Sequence, residues 1–477
     1  MSSSAPLLYE RVAQLVQTQI SSGTLRANDR IPSVRTMSRT ARVSVSTVVQ
    51  AYLHLENIGL IEARPQSGFY VRPPDPAALP EPRLKISRSR QPASIAQEML
   101  HACQDALTRT DLMPLNGAFT SPALYPNHRL NNLMREVLRD RPHNAGELIM
   151  PPGDPELRRQ VAKRMAIAGV PADVEHVVIT GGTMEAITLT MRVLCEPGDT
   201  VLVESPTYFG LLQAIEHLRL KVVEVPNHPG QGIDAEAVRR VARSTRLAAA
   251  VFIPNFNNPA GTLTPDDAKR EIVAELTSRE VPIIEDDIYG DLHFGNSRPM
   301  SLRAFDESGL VVSCGSVSKT IALGYRIGWV VSPQFHAEIS RIKCFTSMAS
   351  PTLQQHVLAR YFAVGGYDRY LRRVRATLQA NSQNFIDAVG RYFPEGTRIA
   401  RPAGGIVAWV ELPPSVDGAE VFRTALASRI GVAPGIVFSA KADYRNFIRL
   451  SYGLPWSATV ERAIEKLGRI VGSMARG

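Results

Sequence analysis

Residues that could bind a phosphate or supply an amine follow the apolar runs of this 477-residue chain. The clearest is the glycine-rich turn Gly181-Gly182-Thr183, which comes directly after the run ending at Thr180 and opens a predicted helix. The free N–H groups and the positive dipole end of such a helix suit a phosphate. Because a Gly-Gly-Thr turn alone is weak evidence, the prediction of a phosphate site depends on the other motifs that accompany it. Four further motifs each follow another apolar run: Pro206-Thr207-Tyr208, Asn255 to Gly261 (NFNNPAG), Glu285-Asp286-Asp287-Ile288-Tyr289, and Ser316-Val317-Ser318-Lys319 continuing to Gly328.

The elements that must position these motifs are buried strands. Seven apolar runs predict them: 176–180, 200–204, 220–225, 247–253, 281–285, 309–313 and 328–331. Helical patterns separate most of these runs, which predicts a mostly parallel sheet in an α/β domain. Ligands of such sheets bind at the carboxyl ends of the strands, and the motifs fall there.

In their order and spacing, the five motifs resemble the class I aminotransferases, fold-type I enzymes that use pyridoxal 5'-phosphate. The resemblance implies an aminotransferase-like body over residues 93–477, with a large domain at about 145–345 and a smaller α/β domain from the remaining segments. It implies that Lys319 forms a Schiff base with the cofactor aldehyde, whose ring becomes an electron sink. Asp286 would pair with the pyridine nitrogen and keep it protonated, and Tyr208 would stack on the ring.

The same resemblance assigns further contacts. Tyr289 and Asn258 are expected to hydrogen-bond the ring hydroxyl oxygen, and Arg449, in the run FIRLSY, is expected to bind the carboxylate of a substrate or effector. Asn116 and Gly117 are assigned to that same site. Taken singly, such residues are more often structural or solvated, so their joint occurrence carries the prediction. The phosphate is expected to be held by five residues: Gly182, Thr183, Ser316, Ser318 and Arg326.

One position departs from the aminotransferase pattern. Relatives commonly have a tyrosine, reaching the partner subunit's cofactor phosphate, where this chain has Met150. A thioether cannot donate that hydrogen bond. The departure leaves the Schiff base possible and argues against efficient transamination.

The first 72 residues predict a different unit. Apolar residues at helical spacing predict a helix from Leu7 to Ile20 that Gly23 ends. Ser33 can cap a short second helix, and Ser44 can cap a longer third helix that Gly59 ends. Two β-prone stretches, 60–63 and 68–71, then predict a hairpin. Helix, helix, turn, helix and hairpin is the winged helix-turn-helix arrangement, whose last helix enters the DNA major groove.

The sequence of this unit resembles the DNA-binding domain of GntR regulators over residues 7–72, with its P-S-x-R start, V-S-x-x-T-V turn and S-G-x-Y-V wing. Many GntR regulators have an arginine where this chain has Val45, so bidentate readout of a guanine is lost and contact with a thymine methyl group, or no contact, must be considered. A protein-interaction module is the alternative reading of this small unit. The resemblance implies that DNA is contacted by six residues: Arg35, Ser44, Ser46, Thr47, Gln66 and Ser67.

Charge and proline content divide the chain in the same way. Residues 1–92 have twelve Arg and Lys against six Asp and Glu, which gives +6 of the total +9. A basic excess suits a phosphate backbone, although many solvated surfaces are equally basic and bind nothing. Six prolines in residues 73–92 predict a semi-rigid extended linker between the two units.

Composition excludes several classes of protein. With 44% hydrophobic and 21% charged residues the chain is not disordered, and its longest apolar run, Leu247 to Pro254, is too short to span a bilayer. The length suggests roughly three domains. The amino terminus shows no secretory signal, and the four cysteines form no CxxC pair, so we expect a cytoplasmic protein with reduced thiols and no metal site.

A GntR-type winged helix joined to an aminotransferase-like body resembles the MocR subfamily of bacterial transcription regulators. The resemblance implies a homodimer, with heads swapped between subunits, that binds double-stranded promoter DNA and senses pyridoxal phosphate or a small amino compound. The alternative from another class is an active amino-acid aminotransferase with an accessory head, since Lys319, Asp286, Tyr289 and Arg449 are all present.

Overall fold

The computed structural model describes residues 8–21, 24–25, 29–57, 60–64, 67–71, 79–83, 93–143, 146–170 and 172–476. The chain divides into two compact units, Met1–Ala78 and Leu79–Gly477, called here the head and the body. Among the described helices, none combines the length and apolar character needed to cross a membrane.

The head has the predicted order of elements. Its helices and strands are α1 (Leu8–Ser21), α2 (Val34–Ala41), α3 (Val45–Asn57), β1 (Ile61–Arg64) and β2 (Gly68–Val71). The two strands form an antiparallel hairpin. The α3 face that the sequence predicts to be apolar is fully buried: Val48, Ala51, Tyr52 and Leu55. The winged helix-turn-helix is therefore confirmed.

Serine side chains begin two of these helices, as predicted. The Ser33 hydroxyl accepts a hydrogen bond from the Thr36 N–H at the start of α2. The Ser44 hydroxyl accepts one from the Thr47 N–H at the start of α3. Gly23 and Gly59, expected to end helices, lie outside the described residues.

The body contains an eight-stranded and a four-stranded sheet. Its strands are β3 (Met113–Pro114), β4 (Val177–Thr180), β5 (Thr200–Ser205), β6 (Lys221–His228), β7 (Gly232–Ile233), β8 (Ala249–Phe252), β9 (Ile283–Asp286), β10 (Val311–Ser316), β11 (Gly328–Val331), β12 (Arg398–Ile399), β13 (Val407–Glu411), β14 (Ile430–Gly431), β15 (Ala433–Pro434) and β16 (Phe447–Ser451). Its α-helices are α4 (Ala93–Thr108), α5 (Asn127–Asp140), α6 (Pro155–Ile167), α7 (Thr183–Leu194), α8 (Phe209–His217), α9 (Ala235–Ser244), α10 (Asp266–Thr277), α11 (His336–Thr346), α12 (Thr352–Ala363), α13 (Tyr367–Tyr392), α14 (Gly418–Ala427) and α15 (Ala458–Arg476).

The large sheet has the order β4-β11-β10-β9-β8-β5-β6-β7. Strands β10, β9, β8, β5 and β6 pair in parallel, whereas β11 is antiparallel to both β10 and β4. All seven predicted runs are strands of this sheet, so its mostly parallel character is confirmed. The central strands β8, β9 and β10 are buried along their whole length, which explains why they appear in the sequence as continuous apolar runs.

The smaller sheet, ordered β12-β13-β16-β15, is antiparallel. Trp409 on β13 is fully buried and stacks on Phe447 at the start of β16, with ring centroids 5.2 Å apart. This core fixes β16, the strand that carries Arg449.

One part of the predicted linker is held by the body. The Pro80 carbonyl accepts a hydrogen bond from the Ile399 N–H, and the Arg83 N–H donates to the Glu411 carboxylate at 2.6 Å. Residues 79–83 therefore lie beside β12 and β13, where these two hydrogen bonds satisfy backbone groups of the segment and of β12. The remainder of the linker lies outside the described residues.

Candidate functional site

A cavity of about 300 Å³ opens at the carboxyl ends of the strands in the large sheet. The structure brings ten of the predicted residues to its walls: Asn116, Thr183, Tyr208, Asn258, Asp286, Tyr289, Ser318, Lys319, Arg326 and Arg449. Three others stand just behind them. Gly182 is packed against the Arg326 guanidinium, Ser316 hydrogen-bonds Ser318, and Gly117 lies between two lining residues.

Lys319 follows β10 and is held at both its backbone and its side chain. The Thr120 hydroxyl donates to the Lys319 carbonyl at 2.8 Å, and the Lys319 amine donates to the Ala118 carbonyl at 2.5 Å. Burial, with Arg449 as a like charge, lowers the pKa of the amine to about 8. About a tenth of the amine is then neutral at pH 7, a far larger fraction than for an ordinary lysine, and the neutral form is the nucleophile.

Asp286 ends β9 and is 6% exposed. Burial raises the pKa of its carboxyl group to about 7, although the Ile288 N–H donates to it at 3.1 Å. A cationic ring nitrogen placed beside this carboxyl group would favour its ionised form. The centroid of the Tyr289 ring lies 6.0 Å from the Lys319 amine.

The glycine-rich turn predicted to bind a phosphate leads into α7. Gly182 has φ +108° and ψ 174°, and no side chain caps the helix there. A Cβ at Gly182 would lie 2.5 Å from the Arg326 guanidinium, so only glycine permits this close approach. Arg326 donates to the Ser318 hydroxyl at 3.2 Å and to the Gly181 carbonyl at 2.9 Å, which gathers the predicted anchors at one point.

Arg449 is 2% exposed and comes from the small sheet. Its guanidinium donates to the Asn258 amide oxygen at 3.0 Å and to the Asn116 carbonyl, which ties both sheets to one wall of the cavity. Burial lowers the pKa of this guanidinium, and no carboxylate of the described residues pairs with it. A buried cation without a counterion is costly, so the site favours an anionic ligand.

Three donors of the cavity residues are buried and have no hydrogen-bond partner within the described ranges: Thr183 Oγ1, Asn116 Nδ2 and Arg449 Nε. Buried polar groups are normally satisfied, and each exception requires an explanation. A phosphate beside Thr183 and a carboxylate beside Asn116 and Arg449 would satisfy them.

Sequence reasoning missed part of this site. Phe438 packs against the Arg449 guanidinium, which lies 5.1 Å from its ring centroid, and against Phe209, with centroids 5.6 Å apart. The Tyr125 and Tyr370 hydroxyl groups donate to the carbonyls of Ser318 and Thr320, on either side of the lysine. No spacing in the sequence links these positions to the motifs, because only the tertiary fold brings them together.

In the head, the predicted contact residues lie on α2, α3 and the wing. Arg35 is exposed on α2, and Ser44 and Ser46 are exposed where α3 begins. The Ser44 hydroxyl also bonds the hydroxyls of Ser46 and Thr47, so part of its capacity is used in capping. The Ser67 hydroxyl bonds Tyr70 Oη, and Gln66 lies outside the described residues.

Val45 is the first residue of α3 and is 50% exposed. Val49 and Leu53 follow on the same helix face and are also exposed. The outward face of α3 thus carries a row of three apolar side chains, next to the exposed polar residues Gln50 and His54, and is hydroxyl-rich at its beginning. Apolar groups suit thymine methyl groups, and hydroxyl groups suit phosphates.

Comparison with known families matches both units. The profile of the bacterial regulatory proteins of the gntR family matches residues 8–71, and that of aminotransferase class I and II matches residues 124–467.

Relatives of the whole chain are named as regulators. It is 34% identical to the HTH-type transcriptional regulator YdcR of Escherichia coli (strain K12), over 97% of this chain and 98% of that protein. It is 27% identical to the HTH-type transcriptional regulator TauR of Rhodobacter capsulatus, over 97% and 96%. Among solved structures, LysN, the alpha-aminoadipate aminotransferase of Thermus thermophilus complexed with N-(5'-phosphopyridoxyl)-L-leucine, is similar with a TM-score of 0.74 and 28% identity, covering 80% of this chain and 97% of that one.

Aminotransferases of this class use pyridoxal 5'-phosphate, and the cavity fits that cofactor. The unpartnered Thr183 hydroxyl and the uncapped α7 terminus suit its phosphate, Asp286 suits its ring nitrogen, and the buried Lys319 amine suits its aldehyde. The chain belongs to the MocR subfamily of GntR-type transcription regulators, in which a winged helix-turn-helix is fused to an aminotransferase class I and II body that uses pyridoxal 5'-phosphate.

Proposed function

We propose that this protein regulates transcription in the bacterial cytoplasm by binding promoter DNA through its head and sensing pyridoxal phosphate or an amino compound through its body. The observation that carries the proposal is that one chain has an outward-facing recognition helix together with a cavity that holds Lys319, Asp286 and Arg449. Full-length similarity to proteins named HTH-type transcriptional regulators supports it.

DNA reading is assigned to α3 in the major groove. Arg35 and the serine hydroxyls at the start of α3 would contact phosphates, while Val45 would contact a thymine methyl group. Each head then reads few bases directly, so two heads on two half-sites are needed for a specific site.

Sensing is assigned to the cavity of the body. When bound, pyridoxal phosphate supplies an electrophilic aldehyde and an electron-withdrawing ring. Lys319 would hold the cofactor covalently, and Asp286 would hold a proton on the ring nitrogen. Arg449 would bind the carboxylate of an amino-acid effector, for which its Nε and the Asn116 amide have unused donors. An effector shifts the protein between two arrangements only by its difference in affinity for them.

A homodimer is part of the proposal. Phe345 is 88% exposed, and Leu148, Met150 and Met348 are exposed as well. The segments that carry them are linked, because the Thr352 hydroxyl donates to the Glu147 carbonyl at 2.8 Å. Exposed apolar residues of this kind are typical of a subunit interface. Met150, in this group, cannot donate a hydrogen bond to a partner's cofactor.

The decisive experiment is footprinting of the promoter beside the gene, with and without pyridoxal phosphate and a panel of amino acids. We expect a protected region with two half-sites whose affinity or extent changes when the cofactor is added. Lys319→Ala should keep DNA binding and lose both the visible cofactor absorbance and the cofactor's effect on the footprint. An unchanged absorbance spectrum in this variant would refute the covalent role of Lys319.

A second measurement tests the head alone. Arg35→Gln should weaken binding to specific and random duplexes alike and reduce the slope of log affinity against log salt by about one. Arg11→Gln, an exposed arginine on α1 outside the helix-turn-helix, is the matched control. Equal losses in both variants would mean that general charge, and not α2, contacts the backbone.

The alternative function is amino-acid transamination. The observation in its favour is that Arg449 and Asn116 keep unused donors for a carboxylate, a feature that a sensor of cofactor alone does not need. Turnover of an amino donor and a keto acid at ordinary enzymatic rates, without preference for the promoter over random DNA, would establish the enzyme and refute the regulator.

A further inference from the structure

A second cavity, of about 390 Å³, lies on the body between α5, α12 and α13. Its residues differ from those of the cofactor cavity. They are Pro126, Arg129, Tyr361, Gly365, Gly366, Arg369, Tyr370 and Arg373. Three guanidinium groups from two helices therefore surround one concavity whose size is that of a small-molecule site.

These arginines are exposed, and none of the three forms an ion pair with any residue that the structure describes. Nearby arginines behave differently. Arg164 pairs with Asp368 at 2.7 Å, and Arg360 pairs with Asp140 at 2.8 Å. Asp368, the residue before Arg369 in the sequence, is thus paired with an arginine outside the cavity. Grouped cations without carboxylates repel one another and attract an anion.

Two further observations indicate that positive charges from different elements are directed into this cavity. Burial raises the pKa of the Tyr361 phenol to about 12, while Arg129 and Arg373 oppose that rise, so both cations act on the same wall of the cavity. The 26-residue helix α13 begins there, and its N-cap, Gly366, has no side chain that could cap the first N–H groups. Its first N–H groups and positive dipole end add to the attraction for an anion.

The floor of this cavity is connected to the cofactor lysine. The Tyr370 hydroxyl donates to the Thr320 carbonyl at 2.5 Å. Tyr125, next to the lining residue Pro126, donates to the Ser318 carbonyl at 3.3 Å. Lys319 lies between these two carbonyls, so movement of the cavity floor would be transmitted to its backbone.

We propose that the arginine cavity formed by Arg129, Arg369 and Arg373 binds a compact polyanion, a small molecule with two or more phosphoryl groups, and that its occupancy is coupled to Lys319 through Tyr370. Each guanidinium offers paired N–H donors that match phosphoryl oxygens. A concave site favours a compact ligand over the extended backbone of a duplex. The binding site requires nothing of the proposed regulatory function, whereas its coupling to Lys319 requires the cofactor to be bound there.

The test uses the full-length protein saturated with pyridoxal phosphate, so that the cofactor's own phosphate site is filled, and inorganic triphosphate as the probe in titration calorimetry. We expect one saturable site per chain that weakens as salt rises. The double variant Arg369→Gln/Arg373→Gln should lose at least tenfold in affinity. Arg372→Gln, an exposed neighbour on α13 outside the cavity, should change it less than twofold.

If the double variant does not fold, Arg129→Gln on α5 tests the same cavity from its other side. No saturable heat, or equal losses in the double variant and in Arg372→Gln, would overturn the proposal. A third result would also overturn it: the parent protein does not bind triphosphate, and the double variant loses affinity for DNA duplexes of any sequence. The arginines would then contact the DNA backbone.

Coupling has a separate readout. Triphosphate should shift the visible absorbance of the bound cofactor, and Tyr370→Phe should remove that shift while binding persists. Tyr361→Phe, in the same cavity, is the control and should retain it. A shift that survives in Tyr370→Phe would overturn the coupling. Failure of the proposed function appears independently, as loss of the visible absorbance itself or of promoter protection.

Discussion

Replacing Gly182 with alanine should weaken cofactor binding through two separable effects. The first is backbone strain, because φ +108° with ψ 174° is a conformation that alanine rarely adopts. Such conformations cost about 1–3 kcal/mol. The second is displacement of Arg326, since the new Cβ would lie 2.5 Å from its guanidinium.

The displacement sets the size of the binding effect. A hydrogen bond to a charged group contributes about 1.5–3 kcal/mol. Loss of one such bond between Arg326 and the cofactor phosphate would reduce affinity by about 10- to 100-fold. Strain alone would lower the free energy of unfolding without this loss.

Two glycines of the same chain serve as controls. Gly198 has φ +99° with open space where a Cβ would lie, so Gly198→Ala reproduces a left-handed strain without displacing a neighbour. Gly324 has open space and no positive φ, so Gly324→Ala should be nearly silent. Cofactor affinity is measured by titrating the apoprotein with pyridoxal phosphate, and stability by thermal unfolding.

The expected pattern is destabilisation in both Gly182→Ala and Gly198→Ala, with loss of cofactor affinity only in Gly182→Ala. Equal cofactor affinity in these two variants would show that Arg326 does not anchor the phosphate, and the reasoning from close approach would be wrong.

Three further predictions follow from other residues. Only a neutral amine attacks an aldehyde, and the pKa of Lys319 is about 8. The rate of cofactor binding in stopped-flow absorbance should therefore rise with pH, with its midpoint near pH 8, and Arg449→Gln should shift this midpoint to higher pH. A midpoint near pH 10 in the wild-type protein would contradict this prediction. Burial raises the pKa of Glu204 to about 7, above its unfolded value of about 4.3, so its contribution to stability is present at low pH and is lost as pH rises towards 7. Between pH 4 and 8, the free energy of unfolding of Glu204→Gln should increase by up to about 3 kcal/mol relative to the wild-type protein, measured by denaturant unfolding. If the two free energies of unfolding change in parallel with pH, the prediction is wrong. Ser44→Ala should lower the stability of α3 by about 1 kcal/mol, seen as faster hydrogen exchange of its amides, whereas Ser46→Ala, which leaves the cap in place, should not.

Local patterns in the sequence predicted the elements of the head and seven strands of the large sheet. Runs buried on both faces carry their own signature, so strands such as β5 and β8 could be predicted to within a few residues. The caps at Ser33 and Ser44 were also predictable, because a cap is a contact between residues three positions apart in the sequence. Local chemistry suffices wherever the interacting groups are close along the chain.

The order of the motifs indicated which residues form the cavity, but their contacts depend on packing between distant parts of the chain. Arg449 reaches the Asn258 amide from a different sheet, 191 residues along the chain, and Phe438 packs against it. Perturbed pKa values such as that of Asp286 arise from burial, which no spacing in the sequence expresses. The unsatisfied donors that indicate an anionic ligand could be found only after every other partner was in place.

The second cavity shows the same limit. Arg369 and Arg373 look in the sequence like the solvated face of a long helix, and nothing there relates them to Arg129 on α5. Packing of α5 against α12 and of α13 beside them creates the concavity, and their lack of carboxylate partners is a property of the fold. Periodicity and local chemistry therefore gave the parts, while long-range packing and the burial of charge decided which parts form sites.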